Sequence, residues 1–186
     1  MRIALVYPSL RSVGGAENVV IWLAESLVNG GHSVVVFTRE FSEDVWGKGS
    51  HTPYGVHLLD FNKYRSTLKT NREAGLALAK ALASYEFDVV NPHNYPASLW
   101  VYYAKMQGHE FPKVLLYLHN LTRNFYAKKI DVHLQKLSGF RNIWNRYRPK
   151  ILFRYLRQYL LGYKRLDAAA VRSSDSVLAN SMYAAI

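Results

Sequence analysis

The chain contains no cysteine, which excludes disulfides and thiolate metal sites and removes any need for an oxidising compartment. It has no apolar run approaching the ~20 residues of a membrane span. The short apolar stretch Ile3–Tyr7, closed by Pro8, is too brief for the core of a secretion signal. The expectation is a soluble, cytoplasmic chain. Asn120-Leu121-Thr122 matches a glycosylation acceptor, but without secretion the match reads as chance. Acidic residues are scarce in one place only. From Arg123 to Arg165 there are twelve Lys/Arg against a single acid, Asp131, whereas the rest of the chain holds twelve of each sign. The whole net charge of +11 therefore lies in one segment, which points to an anionic surface or ligand rather than to general solubility.

What is present is ordinary for one domain: 186 residues, 49% of them hydrophobic, enough for a core. Arg2–Tyr7 and Ser33–Thr38 are short β-branched runs bounded by turn residues, as buried strands are. Between them Ala16, Val20, Leu23 and Leu27 recur at helical spacing, and Gly30-Gly31 supplies a stop. The alternation continues with a strand at Val56–Phe61, a helix at Glu73–Ser84, a strand at Phe87–Asn91, a helix at Ala97–Gln107 and a strand at Lys113–Leu118. A final helix over Pro149–Arg172 leads into a strand at Ser176–Ala179. Strands alternating with helices predict an α/β, doubly wound parallel sheet covered on both faces, in a single domain.

Ligands of such sheets sit beyond the carboxyl ends of the strands. Gly14-Gly15 lies there, after the first strand and at the start of the first helix. Its bare backbone can present N–H groups to an anion, assisted by the helix dipole. A plain glycine turn is the competing reading. The dinucleotide fingerprint G-x-G-x-x-G is absent, and Arg39 rather than an acid follows the second strand, which argues against NAD. Gly47-Lys48-Gly49-Ser50 fails as a phosphate loop because Gly49 stands where Ser or Thr is required. Glu17, in the first helical turn, reads as structural.

The segments "GGAENVVIWLAESLVNGGHSVVVFT", "FDVVNPHN", "VLLYLHN" and "SVLANSMYAAI" together resemble the N-terminal domain of the retaining GT-B glycosyltransferases of family 4, from Arg2 to the end of the chain. The resemblance implies a Rossmann-like domain that is one half of a two-domain enzyme, residues 1–186 being the acceptor side. A C-terminal donor-binding domain, with its pair of glutamates, lies outside this sequence, so the chain alone is expected to be inactive. It also implies a nucleotide-sugar as co-substrate, with no other cofactor, and a glycine loop, Gly14 and Gly15, that reaches the donor diphosphate.

His119 ends the "LLYL" strand, where the resemblance implies a histidine at the bottom of the cleft near the transferred sugar. A neutral imidazole there can accept a hydrogen bond and handle a proton near neutral pH. Alone, a histidine at that position reads as a loop cap. His93, Asn94, Asn120 and Arg123 follow strand ends and are candidates to line the acceptor side, although "NPHNYP" is also a plain turn. His32, His51, His57, His109 and His133 show no ligand spacing, so no metal is expected.

On a helical projection of the last predicted helix, Lys150, Arg154, Arg157, Lys164 and Arg165 form one stripe, opposite Leu152, Tyr155, Leu156, Tyr159, Tyr163 and Leu166. The segment before it mixes further cations with Phe125, Tyr126, Phe140 and Trp144, a pattern suited to an anionic lipid surface. The expected function is transfer of a sugar to a lipid-linked or polysaccharide acceptor, with the protein peripheral at the inner face of the membrane. A solvated surface helix is the simpler account of the stripe. The other classes are a nucleic-acid-binding module, which basic and aromatic residues also suit but for which no recognition motif is present, and a flavodoxin-like binding domain without chemistry, which shares the fold.

Overall fold

The computed structural model describes residues 1–47, 52–61, 68–108, 110–119 and 162–180. In chain order the elements are β1 (Arg2–Val6), α1 (Gly15–Asn29), β2 (Ser33–Thr38), α2 (Glu43–Trp46), β3 (Gly55–Leu58), α3 (Leu68–Leu82), β4 (Val89–Pro92), α4 (Asn94–Lys105), β5 (Lys113–Leu118), α5 (Tyr163–Arg172) and β6 (Ser176–Ala179). The strands form one six-stranded sheet in the order β3-β2-β1-β4-β5-β6. Every pairing is parallel, as in Arg2 beside Ser33 and Val89 beside Lys113. The α/β, Rossmann-like, doubly wound expectation holds.

Residues of period two divide each strand between two cores. Ile3 and Leu5 of β1 and Tyr7 just after it, with Val34 and Val36 of β2, pack against Val20, Ile21 and Ala24 of α1. Ala4, Val6, Phe37 and Val90 face the other way, onto Ala74 and Leu78 of α3 and Trp100 and Val101 of α4. With both faces covered, the inner strands have no polar side to spare, which is why β1 and β2 are continuous apolar runs.

Three boundaries differ from expectation for identifiable reasons. Helix α3 begins at Leu68 rather than Glu73, because its first turn holds a buried Asn71, which accepts from Trp100 Nε1 at 2.9 Å. A hydrophobic pattern cannot register a polar residue that packs inward. Helix α4 spans Asn94–Lys105, but Tyr95 is non-helical (ψ 139°), so its regular part starts at Pro96, where a missing N–H is tolerated. The helix expected over Pro149–Arg172 is not continuous: α5 starts at Tyr163 after Gly162, whose φ of 67° is left-handed. Lys150, Arg154 and Arg157, the other members of the expected stripe, lie outside the described residues. Among the described residues, no helix is long and apolar enough to cross a membrane.

Candidate functional site

The strand order reverses between β1 and β4, and the crevice beyond their carboxyl ends is where α/β sheets take ligands. The loop after β1 carries Gly14 and Gly15, the loop after β4 carries His93 and Asn94, and His119 follows β5. Register brings the last two together. Since Val90 and Val114 point into the α3 and α4 core, the alternate residues Asn91 and His93, and Leu115, Tyr117 and His119, fall on the opposite face.

The β4–β5 ladder pairs Val89 with Lys113 and Val90 with Val114. It resumes as an isolated bridge between His93 and Tyr117. In the gap, Pro92 has no N–H to offer, and the side-chain amide of Asn91 donates to the Leu115 carbonyl. His93 Nε2 lies 2.9 Å from Asn91 Oδ1. His93 Nδ1 lies 2.8 Å from His119 Nε2. The His93 ring stacks on Tyr117, with centroids 5.2 Å apart and planes 19° from parallel, while Tyr7 meets its edge at 6.4 Å. Both histidines are buried, at 0% exposure for His93 and 4% for His119.

Asn94 adopts φ 58°, a left-handed conformation that Asn tolerates better than most side chains. That bend turns its Oδ1 to accept the backbone N–H of His119 at 2.8 Å. Two consecutive residues of "NPHN" thus place His119: the buried His93 and the left-handed Asn94.

Burial pushes the His93 pKa down to about 3, with the neighbouring His119 adding to the effect. The His119 pKa is also lowered by burial, partly countered by the negative charge of Glu17. Both rings are therefore neutral at physiological pH. Glu17 accepts a hydrogen bond from Tyr7 Oη at 2.9 Å; burial, aided by this carboxylate, pushes the Tyr7 hydroxyl well above the usual phenol range. The Glu17 carboxylate occupies the space where a Cβ on Gly14 would stand. Gly14 is thus accounted for inside the domain. At Gly15 a Cβ would meet nothing within 4 Å, and neither glycine has positive φ, so backbone strain explains neither residue.

The structure therefore brings His93, Asn94 and His119 into one network, joined to the glycine loop through Tyr7 and Glu17. It places Lys164 and Arg165 exposed on α5, which packs against α4. Asn120, Arg123, Lys150, Arg154 and Arg157 lie outside the described residues. His93, expected to touch an acceptor, has both ring nitrogens engaged by protein groups. Asn91 and Tyr7 were not singled out by the sequence reading. The available signal was the polar Asn91 in an otherwise apolar strand and a tyrosine at the end of β1.

The model of the family described as Glycosyltransferase Family 4 matches residues 13–185. The chain belongs to glycosyltransferase family 4. Its fold is that of a GT-B half, as similar solved structures show. These include sucrose-phosphate synthase from Thermosynechococcus elongatus (TM-score 0.53, 18% identity, covering 66% of this chain and 34% of that one). The lipopolysaccharide outer core galactosyltransferase WaaB is comparable (0.52, 15%, 64% and 34%). MurG of Acinetobacter baumannii covers 98% of this chain (0.54, 10% identity, 43% of that chain). The family 4 chain thus spans well under half the length of these structures. No curated protein matches it.

Proposed function

We propose that this chain is the acceptor-side half of a retaining glycosyltransferase that moves a sugar from a nucleotide-sugar to a lipid-linked or polysaccharide acceptor. The observation that carries the reading is His119. It is a neutral histidine held at the carboxyl end of a central strand, beside the crevice, by a network that uses the neighbouring strand and its loop. In a family 4 member that geometry suits a group that receives a hydroxyl at the reacting sugar or acceptor.

The donor diphosphate is assigned to the loop at Gly14 and Gly15, where α1 begins and N–H groups are available to an anion. Asn94, Asn120 and Arg123 are assigned to the acceptor side, His93 acting behind them. A second domain, outside residues 1–186, binds the rest of the donor. The protein works at the cytoplasmic face of the membrane, drawn there by the cationic excess between Arg123 and Arg165, of which Lys164 and Arg165 are exposed.

The test is incubation of a protein containing both halves with labelled nucleotide-sugars and either anionic vesicles carrying lipid-linked acceptor or polysaccharide. Label in the acceptor, with the anomeric configuration of the donor, is the expected result. Inverted configuration would refute retention. Sedimentation with neutral vesicles as readily as with anionic ones, or displacement from vesicles by RNA at matched phosphate, would refute the membrane assignment.

A further inference from the structure

The hydrogen bonds around His93 have a direction, and it is set by a group that can only accept. The backbone carbonyl of Leu115 has no proton, so the Asn91 atom facing it must be the NH2 group. Asn91 Oδ1 is thereby turned toward His93 Nε2, and an amide oxygen can only accept, so His93 carries its proton on Nε2. A neutral His93 then presents a lone pair at Nδ1. His119 Nε2, at 2.8 Å from that lone pair, must be the N–H partner. A flipped Asn91 would set two acceptors against each other, and an Nδ1–H tautomer of His119 would set two lone pairs against each other. The order carbonyl, Asn91, His93, His119 thus has one arrangement for neutral rings.

We propose that His93, held by Asn91, is a positioning residue that fixes His119 as its Nε2–H tautomer, leaving Nδ1 as the atom that accepts a hydroxyl hydrogen from the sugar or acceptor. The hydroxyl ligand rests on the glycosyltransferase reading; the tautomer does not. Among the described residues no hydrogen-bond partner meets His119 Nδ1. The groups around His119 are His93 just after β4, Tyr117 from β5 and Glu17 from α1, with Tyr7, just after β1, bound to Glu17. Of these, Glu17 is the group whose negative charge favours a proton on His119. A proton taken from a ligand therefore enters at Nδ1, leaves the Nε2–H bond to His93 intact, and is supported by the Glu17 carboxylate. Burial of His93 keeps that ring from competing for the proton.

The experiment is a long-range nitrogen–proton NMR correlation of the histidine rings in the ligand-free chain at mildly alkaline pH, which distinguishes the two neutral tautomers without requiring activity. The expected spectrum shows both His93 and His119 as Nε2–H. His119 as Nδ1–H, or as a rapidly averaging mixture, would overturn the proposal even if the enzyme transfers sugar. Absence of transfer by a protein containing both halves, with the expected tautomers, would instead refute the glycosyltransferase reading and leave the relay standing. Two variants separate positioning from packing. His93→Gln retains an acceptor for His119 and a donor for Asn91, so His119 should stay Nε2–H. His93→Leu keeps the bulk and loses the acceptor, so His119 should become a mixture. A His119 that remains fully Nε2–H in a folded His93→Leu chain would show that His93 does not set it.

Discussion

Gly75 and Gly15 are both helical glycines, and their surroundings are opposite. A Cβ on Gly75 would run into the Cβ of Tyr103 and lie 2.9 Å from the Trp100 carbonyl, so the glycine exists to let α3 and α4 touch. A Cβ on Gly15 would meet nothing within 4 Å. Glycine in a helix costs up to about 1 kcal/mol relative to alanine, and at Gly15 nothing in the described domain returns that cost. The contrast teaches that Gly75 is explained by the packing of two helices, whereas the packing of the described residues gives no reason for Gly15, which the proposed function assigns to an approaching ligand. His93 belongs to the first kind and His119 stands between the two.

The largest effect expected is on acid stability, and it tests whether His93 serves the interior. Its folded pKa, about 3, lies below the ordinary 6.5. The neutral ring therefore contributes stability that is fully present above pH 6.5 and is lost as pH falls from there toward 3. His119, shifted in the same direction, adds to the loss. Chemical denaturation between pH 7 and 4 should show a falling midpoint, with a shallower fall in His93→Gln. An equal fall in both would remove His93 from the explanation.

The next effect separates the crevice from the core. His119→Ala in a protein containing both halves should lower kcat by about 10²-fold, equivalent to about 2.7 kcal/mol in barrier. Its thermal midpoint should fall as well, because the buried His93 Nδ1 loses its partner, so rates are compared at a temperature where both proteins are folded. An unchanged rate would return His119 to a loop-capping role.

Smaller still is the paired glycine comparison. Gly75→Ala should destabilise the chain by about 1–3 kcal/mol through overpacking. Gly15→Ala should be neutral or stabilising by at most about 1 kcal/mol while weakening use of the nucleotide-sugar. If Gly15→Ala unfolds the chain, or leaves donor kinetics untouched, the contrast between the two glycines collapses.

Much of the sheet was legible because β1 and β2 are apolar runs of the right length and the intervening helix repeats its apolar residues at 3.6. Local pattern failed where polar residues pack inward, as Asn71 does in α3. It failed again where a single glycine changes the backbone hand, as Gly162 does before α5. His119 was legible as the residue ending a strand. Its partnership with His93 and Asn91 was not, because it depends on the register between β4 and β5, which joins residues more than twenty apart in the chain. The roles of Gly14 and Glu17 were similarly hidden, since only the folded loop shows the carboxylate standing where a side chain on Gly14 would be.

The central claim, that residues 1–186 supply the acceptor half and the His119 atom of a two-domain sugar-transfer cleft, is tested most directly by comparing turnover of a labelled nucleotide-sugar by this chain alone and by a protein that continues through a donor-binding domain. The account predicts a folded but inactive short chain and transfer by the longer protein. Turnover by residues 1–186 alone, or none by the longer protein with any nucleotide-sugar, would contradict it.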